Sequence, residues 1–173
     1  MKSTKKIFVL ISLLTVFAMS TFAQGNGTSA TATSSATIIT PISMSSDVPL
    51  AFGNLAVNAT AGTVVMTPAS PTVRTSAGGV TLPQTAGTYT AAHFIVGGQA
   101  NSVYTIGLPS SATITSSSNT MLVNTFLSSL TSNSGTLNSS GSDNFYVGAT
   151  LNVNGSQPSG TYSGTFNVTV NYN

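Results

Sequence analysis

Charge is what this chain has least of. Its 173 residues include four Lys or Arg, two Asp or Glu and one His. Three of the basic residues, Lys2, Lys5 and Lys6, stand together at the start. An apolar run from Ile7 to Met19 follows, and then the small-residue exit Thr21-Phe22-Ala23. This order describes a secretory signal peptide, too short and wrongly flanked for a membrane span. Residues 1–23 are expected to be removed, leaving Arg74, Asp47 and Asp143 as the only full charges. Nucleic-acid binding needs clustered Lys and Arg against phosphates, so that class is excluded.

Cysteine is absent altogether. The expected compartment permits disulfides, yet the fold must stand without them, and a bacterial lipid anchor has no thiol to attach to. After the leader no second long apolar run occurs, so no transmembrane segment is expected in the mature chain. About 150 residues suit one domain with its own core.

Catalytic groups are equally scarce. General acid–base work needs a positioned His, carboxylate or Lys, and the mature chain offers His93, Asp47 and Asp143. His93 falls on the outward phase of an alternating stretch, and both Asp residues stand in turn-like contexts. Their spacing matches no metal-ligand pattern and no calcium loop. No enzyme activity, metal or cofactor is expected.

What the chain does have is alternation. In the stretch Gly160 to Asn173, Gly160, Tyr162, Gly164, Phe166, Val168, Val170 and Tyr172 share one phase, and every residue between them is polar. Side chains on a strand point to opposite faces in turn, so this is a strand with one buried and one wet face. Asn144 to Asn154 alternates as cleanly, with Phe145, Val147, Ala149, Leu151 and Val153 inward. Ala92, Phe94 and Val96 form another inward set, as do Tyr104, Ile106 and Leu108. Tyr146 falls on an outward phase and is the candidate for a surface contact.

Elsewhere the pattern is broken. Gly53-Asn54 splits Leu50-Phe52 from Leu55-Val57 and reads as a bulge or tight turn. Val73 to Leu82, with Gly78-Gly79, predicts a hairpin. Met121 to Leu130 alternates poorly and has room for one helical turn, and Ser132 to Asp143 reads as a loop. At the front, Ala30, Ala32, Ala36, Ile38 and Ile42 recur on even positions, longer than a typical strand of about 5–6 residues. Short strands, frequent turns and no helical period predict an all-β, immunoglobulin-like antiparallel β-sandwich over residues 36–173, preceded by an N-terminal arm at 24–35.

The order of landmarks resembles a family of secreted bacterial proteins carrying a domain-of-unknown-function label (DUF4402). The landmarks are Ala36-Thr-Ile-Ile-Thr-Pro-Ile-Ser43, Leu50-Ala-Phe-Gly53, Gly62-Thr-Val-Val65, Ala92-His-Phe-Ile-Val-Gly97, Tyr104-Thr-Ile-Gly-Leu-Pro109, Val147-Gly-Ala-Thr-Leu151 and the terminal stretch. More distantly the layout resembles spore coat protein U domains and the pilins of chaperone–usher systems. In those pilins the last strand alternates, with Tyr next to last and Gly some 14 positions from the end; Tyr172 and Gly160 occupy these places. That likeness implies an incomplete fold, completed by the N-terminal arm of the next subunit through β-strand addition. It also implies partners: copies of the chain or related subunits, a periplasmic chaperone and an outer-membrane usher.

The function expected is therefore a non-enzymatic structural subunit of a bacterial surface fibre, exported through the periplasm. Gly160, Tyr162, Phe166, Val168, Val170 and Tyr172 would form the acceptor side of the subunit interface, and Ala30, Ala32 and Ala36 the donor arm. The competing expectation is a monomeric extracellular adhesin or lectin-like module, with a complete sandwich and a disordered arm.

Overall fold

Phe145, Val147, Ala149, Leu151 and Val153 are all buried, and the strand that carries them organises the rest. The computed structural model describes residues 27–173; the expected signal peptide lies outside the described residues, as do positions 24–26 of the expected arm. In chain order the strands are β1 (Ser43–Val48), β2 (Ala51–Phe52), β3 (Ala56–Met66), β4 (Arg74–Thr81), β5 (Tyr89–Thr90) and β6 (Ala92–Gly97). They continue with β7 (Val103–Gly107), β8 (Ser111–Ser116), β9 (Asn119–Ser128), β10 (Ser134–Thr136), β11 (Ser142–Val153) and β12 (Thr169–Tyr172). A short 3-10 turn, Thr131–Asn133, is the helical exception among the described residues.

β11 is long enough to serve three partners. Along one edge it takes β6 first, with Phe145 opposite Phe94 and Val147 opposite Ala92, and then β3, with Leu151 opposite Val64. Along the other edge it takes β9, which in turn pairs with β8. β1 flanks β6, and β4 flanks β3. A second sheet runs in the order β10-β7-β12, and β2 pairs with β5 as a separate ribbon. Every ladder is antiparallel. The inward residues of β6, β9 and β11 meet Tyr104 and Ile106 of β7 in one core. The result is an all-β, sandwich-like arrangement of antiparallel sheets, as the alternation predicts. Each large apolar side chain fully buried there contributes roughly 1.5–3 kcal/mol.

Where the alternation falters, the backbone explains why. Met121 and Val123 point inward, and so does Phe126, one position out of phase. Thr125 sits between them with φ +50°, and the ladder to β11 shifts register there, so a bulge stands in place of the helical turn expected in 121–130. Gly78-Gly79 is not a hairpin tip: both glycines lie within the single strand β4, where β3 bulges out opposite. Gly78 has φ +68° and abuts the Ala61 carbonyl, which leaves no room for a side chain. The expected loop at 132–143 contains β10 and anchors itself with Leu137, which is 1% exposed.

The two ends depart furthest from expectation. Residues 27–42 form no strand, and 27–37 are exposed throughout; their small and polar side chains offer little apolar area to fix a pairing. Burial alternates along 160–173 as predicted, with Tyr162, Phe166, Val168, Val170 and Tyr172 half-buried. Continuous pairing, however, is confined to β12, apart from a lone bridge between Ser163 and Thr115. Ile38–Asn173 form one compact unit.

Candidate functional site

The half-burial of that terminal stretch has a cause: the core beside it is open. A cleft of about 930 Å³ runs between two walls, residues 157–166 on one side and 49–57 on the other. Its floor is apolar, built from Ala92 and Phe94 of β6, Met121, Val123 and Phe126 of β9, and Leu151 and Val153 of β11. No charged side chain lines it.

The wall at 49–57 is held from several directions. β2 pairs with β5, Thr90 Oγ1 donates to the Pro49 carbonyl at 2.7 Å, and Asn54 N–H donates to the Ala86 carbonyl at 2.7 Å. Arg74 Nη1 donates to the carbonyls of Phe52 (2.6 Å) and Asn54 (3.1 Å), while its guanidinium lies 4.6 Å from the centre of the Tyr89 ring. The one basic side chain of the expected mature chain is thus a clamp on the turn at Gly53, whose φ is +71°. A charged fork satisfying two carbonyls also explains how an Arg sits beside an apolar site without a carboxylate.

The wall at 157–166 is held more lightly. The Tyr162 hydroxyl donates to the Pro158 carbonyl at 2.9 Å and accepts from Gln157 Nε2 at 2.9 Å, folding the turn onto itself. The Phe166 ring lies 4.9 Å from that of Phe126 and meets Phe94 edge-on at 6.4 Å. Between Gly160 and Val168, among the described residues, Ser163 alone exchanges backbone hydrogen bonds with another segment, giving and taking one with Thr115. Backbone groups of neighbouring residues on a strand point to opposite edges. Tyr162 and Gly164, on either side of Ser163, exchange no backbone hydrogen bond with another segment. The same parity continues in β12, where Asn173 N–H reaches the Val103 carbonyl and β7 occupies one edge. The opposite edge of β12 pairs with no strand among the described residues.

The structure therefore divides the residues expected at the acceptor side. Gly160, Tyr162 and Phe166 line the cleft. Val168, Val170 and Tyr172 lie beyond it and pack against the closed part of the core. Tyr172 ties two segments together: its hydroxyl accepts from Gln99 N–H at 2.6 Å and donates to the Thr40 carbonyl at 2.8 Å. Ala30, Ala32 and Ala36 are exposed. The opposite wall, 49–57, was not singled out by sequence reasoning, because Gly53-Asn54 splits its apolar residues into two short sets. Ile38 was also passed over, although it is 98% exposed. The signal for it was present in the Ile38-Ile39 pair inside an otherwise small and polar stretch.

The polar residues are used elsewhere. His93 Nδ1 lies 2.6 Å from Asp47 Oδ1, and its ring centre is 4.6 Å from that of Tyr146, on the outer face of the β1–β6–β11 sheet. This pair bridges the register shift between β1 and β6. Tyr104, with no exposure, donates its hydroxyl to Asp143 Oδ2 at 2.8 Å. Burial first, and then the hydrogen bond and charge of Asp143, push the phenol well above its usual pKa.

Fold and cleft define a class: an all-β domain of antiparallel sheets whose core remains open along the terminal edge. A family model described as a domain of unknown function (DUF4402) matches residues 42–172, and the chain belongs to that family. No curated protein and no solved structure matches it. No helix among the described residues is long and apolar enough to cross a membrane.

Proposed function

We propose that this chain is a secreted, non-enzymatic structural subunit of a bacterial surface fibre, assembled by β-strand addition. One observation carries the reading: a terminal stretch, 160–168, whose backbone among the described residues is unpaired except at Ser163, borders an uncharged apolar cleft that reaches the core. An open edge invites another strand, and main-chain hydrogen bonds with alternate side chains in pockets are how such additions bind. Contacts between one face and a different face of the next copy do not close on themselves and give open filaments. The near absence of charge supports the same reading, since little repulsion keeps copies apart. The likeness in layout to pilins and spore coat protein U domains is consistent with it, and export would then involve a periplasmic chaperone and an outer-membrane usher.

The test is electrophoresis of unboiled mature protein in SDS. A ladder of species that collapses to monomer on boiling is expected. A single monomer band at every protein concentration would sink the fibre reading. It would favour the monomeric adhesin, for which a cleft of about 930 Å³ falls within the range of small-ligand pockets.

A further inference from the structure

Ile38 is the most exposed large apolar side chain among the described residues. It is 98% exposed, in a chain where the apolar residues of nearly every other alternating stretch find the core. Its even-numbered phase continues backward through Ala36, Ser34, Ala32 and Ala30, and no charged residue occurs in 24–41. The cleft, for its part, has an apolar floor, no charged lining residue and a wall, 160–166, whose backbone is unpaired except at Ser163. A strand that alternates, is uncharged and has an apolar residue with nowhere to go matches it on each count.

Length agrees as well. Residues 30–38, extended, span about 26 Å at 3.3 Å per step, and the terminal wall of the cleft is a run of similar length, 157–166. The site from which this stretch departs points to a neighbour. Thr40 is fastened by its carbonyl to the Tyr172 hydroxyl and by its N–H to Gln99 Oε1, just past the Gly97 end of β6. The cleft is floored by the other half of β6, at Phe94 and Ala92, about 10 Å and about 17 Å back along the strand from Gly97. Donor and acceptor thus leave the domain at opposite ends, the geometry of a head-to-tail chain.

We propose that residues 30–38 of one copy fill the cleft of a second copy, with Ile38 as the anchoring side chain. This rests on the fibre-subunit reading and assigns its donor and acceptor. The added strand pairs with the free backbone groups of Tyr162 and Gly164. Ile38 and Ala36 then seat on the apolar floor beside Phe126 and Phe166.

The absence of cysteine makes the test clean. Single-cysteine variants of the full mature chain are prepared at Thr31, Thr33, Ser35 and Thr37, on the outward phase of the arm, each to be mixed with a chain carrying Thr165→Cys on the outward phase of the cleft wall. Thr165 is exposed and lies on the cleft wall, and residues 31–37 are exposed, so no substitution removes a core contact or the Ile38 anchor. Light scattering gives the assembly state, and non-reducing electrophoresis gives the links. A disulfide dimer that needs both cysteines, strongest from position 35 or 37, is the expected result. Assemblies without a link from any arm position overturn the donor assignment while the fibre reading stands. A chain carrying both Thr37→Cys and Thr165→Cys distinguishes a neighbour from self-closure. A ladder of linked species supports the proposal, and a linked monomer overturns it. Monomers by scattering in every sample overturn both this proposal and the fibre reading. In parallel, Ile38→Asp is expected to weaken assembly about tenfold or more, and Ile38→Leu to preserve it.

Discussion

An open core gives two phenylalanines that look alike in sequence different energetic fates. Phe145 has no exposure and stacks on Phe94 with ring centres 5.2 Å apart. Truncating such a residue to alanine removes its transfer free energy and leaves a cavity, a loss of about 3–5 kcal/mol. Phe166 sits in the cleft wall, half-buried, touching Phe126 and the edge of Phe94. Its remaining face borders the cleft. Its truncation should cost the subunit about 1–2 kcal/mol, part of the value for full burial, and leave no enclosed void. Once a strand fills the cleft the remaining face is buried too, and a comparable about 1–2 kcal/mol moves into assembly, near tenfold in affinity for each 1.4 kcal/mol. The assay is urea unfolding in an Ile38→Asp background, at a protein concentration where light scattering shows monomer. Phe145→Ala and Phe166→Ala are compared at equal slope, and subunit association of each is measured in the background with Ile38 restored. If Phe166→Ala destabilises the monomer as much as Phe145→Ala, the cleft is closed in solution and the strand-accepting argument fails.

Two more perturbations probe the surroundings. The Tyr104 phenol is held neutral by burial and by Asp143, so its folded pKa lies above the unfolded value of about 10. The stability this lends is complete below pH 10 and is lost as pH climbs toward the folded pKa. Urea midpoints should therefore fall more steeply above pH 10 in the parent chain than in Tyr104→Phe, and equal slopes would dismiss the linkage. A β-carbon at Gly164 would run into the Thr113 carbonyl and crowd the α-carbon of Ile114, leaving no room for a methyl group. Gly164→Ala should cost about 1–3 kcal/mol and open residues 160–168 to proteolysis. Gly160→Ala meets only the Ser116 hydroxyl, at 2.7 Å, which can rotate away, and should be mild by the same assay.

Much of this was legible in the chain because period-2 patterning is a direct record of which face is buried. The inward sets of β6, β7 and β11 are as the alternation predicts, down to the outward placement of His93 and Tyr146. Bulges were not legible. The phase change from Val123 to Phe126 is produced by a left-handed Thr125, a residue type that gives no warning of that conformation. Gly78-Gly79 carried the right signal, a need for glycine, with two structural meanings: a tip and a crowded bulge. At the cleft, Tyr162 and Phe166 were found because they share a strand. The facing wall was not, because Leu50, Phe52, Leu55 and Val57 are gathered by a turn that Arg74 clamps from 20 residues away. Alternation tells which face of a strand is apolar; it does not tell whether a partner covers it, and this is why Val168 and Phe166 read alike and sit differently.

The knot at Tyr172 bears on how the molecule would respond to tension. Its hydroxyl joins Thr40, where the N-terminal stretch leaves, to Gln99 at the end of β6. Immediately beyond, β1 lies antiparallel along β6 from Ser43 opposite Gly97 to Val48 opposite His93. A pull on the N-terminus therefore acts along the axis of β1, across hydrogen bonds that stand perpendicular to it. The rungs are loaded together in shear, not peeled one by one, and the Asp47–His93 bridge sits at the far end of the ladder as a stop. Tension entering there would pass into β6 and β11, the most deeply buried strands of the domain, before it reached anything that frays.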